Sequence, residues 1–265
     1  MMQDVTMFLD ALGLNEYPMG LFYTDQKPAA GISPKRQLSL EQMAPGSNPD
    51  VNWSCCMLSK IRYARRKNCA AFFDHAHYGC LGGAFFMGFK SWYAPFEPAL
   101  ISTGIPGQIQ GERYLDSAET GRRFYDGFQP PEAGGRVLVI QPLELFTPDQ
   151  TPEVVIFFPT RDSMIGLNAL TVFLTGDPDA VCMPFGMGCA SLVSWPRRFC
   201  RQGETKAVIG GFDINCLRYL KKQELTYAVP YALFLKMLET WPDTILGTRA
   251  WQRIKQRRLD PEVGG

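Results

Sequence analysis

Arg136-Val137-Leu138-Val139-Ile140-Gln141 and Glu153-Val154-Val155-Ile156-Phe157-Phe158 are the two stretches on which the fold turns. Both are continuous apolar runs bounded by turn residues. A strand with one face in water alternates apolar and polar side chains. Neither run alternates, so both predict strands covered on both faces, in the middle of a sheet. The connection 142–152 carries Pro142, Pro148 and Pro152, poor residues for a helix interior. It is too short for a parallel crossover, so the two strands are expected to be antiparallel if they pair. Immediately beyond, Met164, Leu167, Leu170, Val172, Phe173 and Leu174 predict a mostly buried helix over 161–175 that covers part of the sheet.

Further along, Lys206–Ile209 and Leu225–Val229 read as strands, and Tyr231–Trp241 as an amphipathic helix opened by Pro230 in its first turn. A basic helix is expected over 248–259. Toward the N-terminus, residues 4–12 have helical spacing and Gly13 ends the run. Met19–Tyr23 reads as a strand and residues 25–52 as loop. Ser54 is placed to cap a helix from Cys55 to Asn68. Ala70–Phe73 reads as a strand, Gly82–Phe89 as a buried helix or turn, and 94–111 as irregular. Together these predict an α+β fold: a single domain over 1–265 with a mixed, largely antiparallel central sheet covered by helices. The same chain can be read as two intertwined halves of about residues 1–130 and 131–265.

Composition narrows the function class. Of 265 residues, 46% are hydrophobic and 20% charged, an ordinary globular balance. With 27 Lys+Arg against 26 Asp+Glu the net charge is +1, so no overall electrostatic drive toward nucleic acid or anionic membrane exists. No apolar run reaches the roughly 20 residues that span a bilayer. Met1-Met2-Gln3-Asp4 lacks a basic, then apolar, signal sequence, so a cytoplasmic protein is expected. Nucleotide-binding glycine fingerprints, a Walker loop and the Gly-x-Ser-x-Gly elbow are all absent. Phe185-Gly186-Met187-Gly188-Cys189 is the nearest approach to a glycine loop and reads as a turn before a packed helix.

The eight cysteines fall in two groups, 55 to 80 and 182 to 216, with about one hundred residues between them. No Cys-x-x-Cys pair occurs, and without an export signal reduced thiols are expected. Such grouping suits a site assembled from two distant segments, and equally suits unrelated buried thiols. Cys80 and Cys189 each precede small residues and an apolar stretch able to start a helix. A thiol there meets exposed N–H groups that favour the thiolate, which is both metal ligand and nucleophile. Both histidines lie in Asp74-His75-Ala76-His77-Tyr78, either a zinc or iron fragment or simply a strand end; the latter is favoured, since no third histidine exists. The basic residues of 60–67 (Lys60, Arg62, Arg65, Arg66, Lys67) read first as a solvated helix face and second as an anion clamp.

Five pieces of the sequence together resemble the prokaryotic domain-of-unknown-function family number 169, found largely in anaerobes. They are Tyr17-Pro18 to Phe22; Cys55-Cys56-Met57-Leu58 leading to Ala64-Arg65-Arg66; Cys80 to Gly88-Phe89; Cys189 ahead of Pro196; and Gly210-Gly211 to Cys216-Leu217-Arg218, then Glu224 and Ala228-Val229-Pro230. The resemblance spans nearly the whole chain. It departs in the longer spacing from Cys55 or Cys56 to Arg65, and in Leu217, which splits a Cys-Arg pair. It singles out Cys55 or Cys56, Cys80, Cys189 and Cys216, and leaves Cys69, Cys182 and Cys200 to structural roles. Four thiolates are the usual complement of an iron–sulfur cluster, with zinc as the lesser choice. The resemblance therefore implies a cytoplasmic iron–sulfur protein engaged in redox chemistry on a small molecule or electron transfer with a partner protein. Arg65 and Arg218 are the expected anion contacts. The alternative is a small-molecule or cofactor-binding protein with purely structural cysteines. A nucleophilic Cys80 or Cys189 is a third reading, weakened by the scarcity of histidine bases.

Overall fold

A computed structural model describes residues 2–34 and 56–259. Ser54, Cys55 and most of the loop expected over 25–52 lie outside the described residues. The strands β1 (Met19–Thr24), β2 (Ala71–Asp74), β5 (Val137–Pro142), β6 (Val154–Phe157), β7 (Val181–Cys182), β8 (Ala207–Gly210) and β9 (Thr226–Pro230) form one sheet in the order β2-β5-β1-β6-β9-β8-β7. Strands β3 (Gly104–Ile105) and β4 (Ile109–Gln110) make a separate hairpin. The pairs β1–β6, β6–β9 and β8–β9 are antiparallel and β7–β8 is parallel. With its helices this is an α+β fold with a mixed, mostly antiparallel sheet.

The chain gathers into two compact units, one of residues 1–22 with 140–265, the other of residues 23–139. In the first, α1 (Met2–Leu12), α6 (Arg161–Thr175), α8 (Tyr231–Thr240) and α9 (Arg249–Leu259) share one core with β6, β8 and β9. Phe8, Val155, Phe157, Leu167, Tyr227, Val229 and Phe234 meet there. Each such side chain is worth roughly 1.5–3 kcal/mol when fully buried. The other face of β8 and β9 is covered by residues 190–202. Every residue of β5 and β6 is buried, as the missing alternation predicts.

The strands β5 and β6 do not pair, so the condition on their direction does not arise: β1 lies between them. Gly20 makes room for this: a side chain there would come within 2.5 Å of the Phe146 ring, which the 142–152 connection lays over β1. Two expectations need correction, at α6 and at Pro230. Helix α6 is amphipathic rather than mostly buried, with Ile165 and Phe173 more than half exposed. Pro230 ends β9 and is the N-cap of α8 instead of sitting in its first turn.

The unit of residues 23–139 is built from shorter pieces. Helix α2 (Met57–Lys67) buries Met57, Leu58, Ile61 and Ala64, and also Lys60, against the expectation of a solvated face for it. Arg65, Arg66 and Lys67 fall in its last turn, where cations suit the helix dipole. Helices α3 (Leu81–Phe86), α4 (Glu97–Leu100) and α5 (Ala118–Gly127) follow. Residues 94–111 are thus less irregular than expected: Pro98 opens a helical turn, and the β3–β4 hairpin comes after it. Gly121 lets α5 touch α4, since a Cβ there would lie 2.4 Å from the Pro98 carbonyl oxygen. Phe85, Phe86, Tyr125 and Phe128 interlock at ring separations of 5.1 to 6.0 Å.

Candidate functional site

The cysteines sort by position in the fold. Cys56 is the N-cap of α2, Cys80 of α3, Cys189 of a π-helical turn (Ala190–Ser194) and Cys216 of a 3-10 turn (Leu217–Tyr219). Cys56 and Cys80 stand in extended backbone where the first N–H groups of an α-helix lack partners inside it. Cys189 and Cys216 already have helical backbone, and the N–H groups that follow them bond the Met187, Asp213 and Ile214 carbonyls. The Cys80 Sγ accepts the Gly83 N–H at 3.2 Å. Gly82 and Gly83 keep that turn free of side chains. The other three described cysteines are not N-caps, and burial pushes all three thiols up. Cys69 and Cys182 shift upward for that reason, and Cys200 reaches about 11, with Glu153 adding to the effect. An upward shift favours the protonated thiol at each of the three.

Within the unit of residues 1–22 and 140–265 two of the expected site segments come together. Strand β8 ends at Gly210, and a side chain there would strike Ser191 Oγ at 2.3 Å. Its absence seats the π-helical turn against the strand end. The turn itself follows from Pro196, which has no N–H to continue an α-helical ladder. Ser191 Oγ donates back to the Gly188 carbonyl at 3.1 Å and fixes the glycine turn that carries Cys189. Beyond Gly210, Gly211 at φ +95° turns the chain into the Asp213–Cys216 loop. Asp213 is the joint. Its carboxylate accepts the Asn215 N–H at 3.0 Å, the Cys216 thiol at 3.1 Å and the Gly188 N–H at 3.4 Å. Cys189 and Cys216 are both buried beside it. Phe185 to Gly188 is the turn before a packed helical segment that the sequence predicts. Arg218 is exposed; its Nε donates to the Asn215 carbonyl at 3.3 Å and its guanidinium lies 5.3 Å from the Tyr219 ring centre.

In the unit of residues 23–139 Arg65 is half-buried on α2, on the helix that Cys56 caps. The two histidines have separate surroundings. Burial works against ionisation of Asp74, yet the Lys27 ammonium at 2.7 Å, the Ala76 N–H and His77 hold its carboxyl down to about 2. His77 Nδ1 lies 3.0 Å from the same carboxylate, and the His75 ring packs on Phe89 at 5.0 Å. Asp74-His75-Ala76-His77 is a pinned strand end. Among the described residues no three His, Cys, Asp or Glu side chains gather as a metal-binding group. Cys55 lies outside those residues.

Sequence reasoning passed over two residues. Asp213 carries a readable signal, since Asp-x-Asn after Gly-Gly favours a side-chain-to-backbone turn. Glu97 carries none: it stands between Phe96 and Pro98 and is 3% exposed. Burial pushes its carboxyl up to about 7, with the Ala94 backbone and the Tyr125 hydroxyl pulling the other way. Its Oε2 has no hydrogen-bond partner, and its Oε1 faces the bare Cα of Gly82.

The model of the family described as Uncharacterised ArCR, domain of unknown function 169, matches residues 8–240. The chain belongs to this family. The match takes in every N-cap cysteine, the Asp213 joint and Arg65 and Arg218, and so covers the whole candidate site. No curated protein and no solved structure matches the chain. No helix among the described residues is long and apolar enough to cross a membrane.

Proposed function

We propose that this ArCR-family protein holds an iron–sulfur cluster on thiolates drawn from Cys55 or Cys56, Cys80, Cys189 and Cys216. Zinc is the lesser alternative. The observation that carries the reading is the sorting of the cysteines. The four positions singled out by the family resemblance each, wherever described, directly precede a helical segment, and the remaining three do not. Thiolates are the ligands such clusters take, and local N–H groups tune a cluster by hydrogen bonding to sulfur. The donor chemistry fits the group. When bound, it would supply one-electron transfer to a small molecule or a redox partner protein. The chain's own residues do the rest: Asp213 holds the Gly188 and Asn215 N–H groups in one turn beside Cys216, Gly82 and Gly83 keep Cys80 uncrowded, and Arg65 and Arg218 offer anion contacts.

The test is an anaerobic preparation assayed for iron, acid-labile sulfide and visible absorption. Serine replacement of Cys80, Cys189 or Cys216 should each lower iron and sulfide together. Replacement of Cys69, Cys182 or Cys200 should leave both unchanged. Equal retention in all six variants, or no iron after anaerobic reconstitution, overturns the proposal and leaves the small-molecule binding protein with structural cysteines.

A further inference from the structure

A cavity of about 540 Å³ lies within the unit of residues 23–139, away from the thiols. Phe85 and Tyr125, both nearly inaccessible, line it together with Pro95, Pro98, Trp92 and Tyr93. Tyr93 stacks on Tyr125 with ring centres 4.6 Å apart and an interplanar angle of 22°. Its hydroxyl donates to Asp126 Oδ1 at 2.7 Å, so the ring is held in place before any ligand arrives. Trp92 stands at the cavity 47% exposed, an unusual position for an indole on a folded surface. Ser91, Arg122, Asp126 and Gln129 complete a lining in which aromatic and polar groups both have a large share, and ring faces beside a few polar groups are what a small-molecule site offers.

The charges around it choose the ligand. Arg122 lines the cavity and is exposed, with no ion pair among the described residues. Asp126 already accepts the Tyr93 hydroxyl. The Lys90 ammonium sits 4.8 Å from the centre of the Trp92 ring and 5.3 Å from that of Tyr78. An aromatic face that already carries a cation repels a second one. The charged lining residues are Arg122 and Asp126, and with Asp126 engaged by Tyr93 and Lys90 over the Trp92 ring, the balance favours an anion. We infer that this cavity binds a small planar aromatic molecule bearing a carboxylate, its ring against Trp92 and Tyr93 and its charge on Arg122. The site is independent of the cluster proposal, because no cysteine lines it.

Calorimetric titration of the full chain with three probes tests this: naphthoate, its neutral analogue naphthalenemethanol, and the non-planar anion cyclohexanecarboxylate. Naphthoate should saturate and bind about tenfold more tightly than cyclohexanecarboxylate, the worth of a stacked ring. Arg122→Gln should weaken naphthoate about fivefold and leave naphthalenemethanol unchanged, the signature of a lost charge contact. Trp92→Leu should weaken both ring-bearing probes, and its indole NMR signal should be the tryptophan resonance that naphthoate moves in the parent protein. Both residues are exposed, so neither variant endangers folding. Absence of saturable naphthoate binding overturns the inference. So does equal affinity for cyclohexanecarboxylate, or affinity indifferent to Arg122→Gln.

Discussion

The two compact units reach a core by different means. Residues 1–22 with 140–265 bury uninterrupted aliphatic strands between two layers of helix, and Val154, Val155 and Ile156 are wholly inaccessible. Residues 23–139 have short helices and strands, interlocked aromatic rings, and glycines that let backbone meet backbone, as Gly121 does at Pro98. The first kind of core admits a hydroxyl or an amide on its strands, as Thr226 and Gln141 show, and its β6 carries aliphatic and aromatic side chains alone. The second depends on a few close approaches and accommodates a buried carboxyl, Glu97. A sheet buried on both faces is fixed by many equivalent contacts, whereas a core of short elements concentrates its stability in particular atoms.

That contrast can be broken most forcefully at Val155. Aspartate there places an unpaired carboxylate in the middle of β6 at a cost of several kcal/mol. Val155→Asp should abolish soluble folding, checked by the soluble fraction and circular dichroism. A folded, soluble variant would show that β6 is not the centre of the core.

Glu97 sharpens the other side. Its carboxyl titrates at about 7 in the folded chain against an ordinary 4.5, so the folded state keeps a proton that the unfolded state has lost. Stability should therefore fall as pH rises from about 4.5 to about 7 and level off above, by roughly 3 kcal/mol in all. Denaturant unfolding at a series of pH values checks this. Glu97→Gln should remove the slope, and an unchanged slope would mean that another group carries it.

The smallest effect is expected at Gly121. Alanine would put a methyl group 2.4 Å from the Pro98 carbonyl oxygen and part α5 from α4. Overpacking of this kind costs about 1–3 kcal/mol. Hydrogen exchange should speed up in 97–127 while β6 and β9 stay protected. Uniform acceleration across both units would erase the distinction drawn between their cores.

Much of the fold was legible because periodicity is a local property. Missing alternation at 137–142 and 154–157 announces burial on both faces, and Gly13 and the 3.6-residue spacing of 4–12 announce α1. Strand order was not legible. Nothing in β5 or β6 says that β1 will separate them, since that depends on the ring of Phe146 finding the bare Cα of Gly20. The exposure of Phe173 was likewise hidden, because which face of α6 meets the sheet is set by its neighbours. In the candidate site, Cys80 and Cys189 were readable as helix starts from the small residues that follow them. The Asp213 joint was half readable, as a turn but not as the acceptor for Gly188.

By itself the sequence determined an α+β chain with two strands of fully buried character and a family resemblance. Local chemistry suffices for that: side-chain size, polarity and spacing act within a few residues. Only the tertiary structure decided that Cys216 and Gly188 share one carboxylate, that Glu97 is sealed from water, and that Trp92 and Tyr93 line a cavity with Arg122. Each of these rests on groups distant in sequence whose desolvation depends on what packs over them, and burial of that kind exists only once the chain has folded.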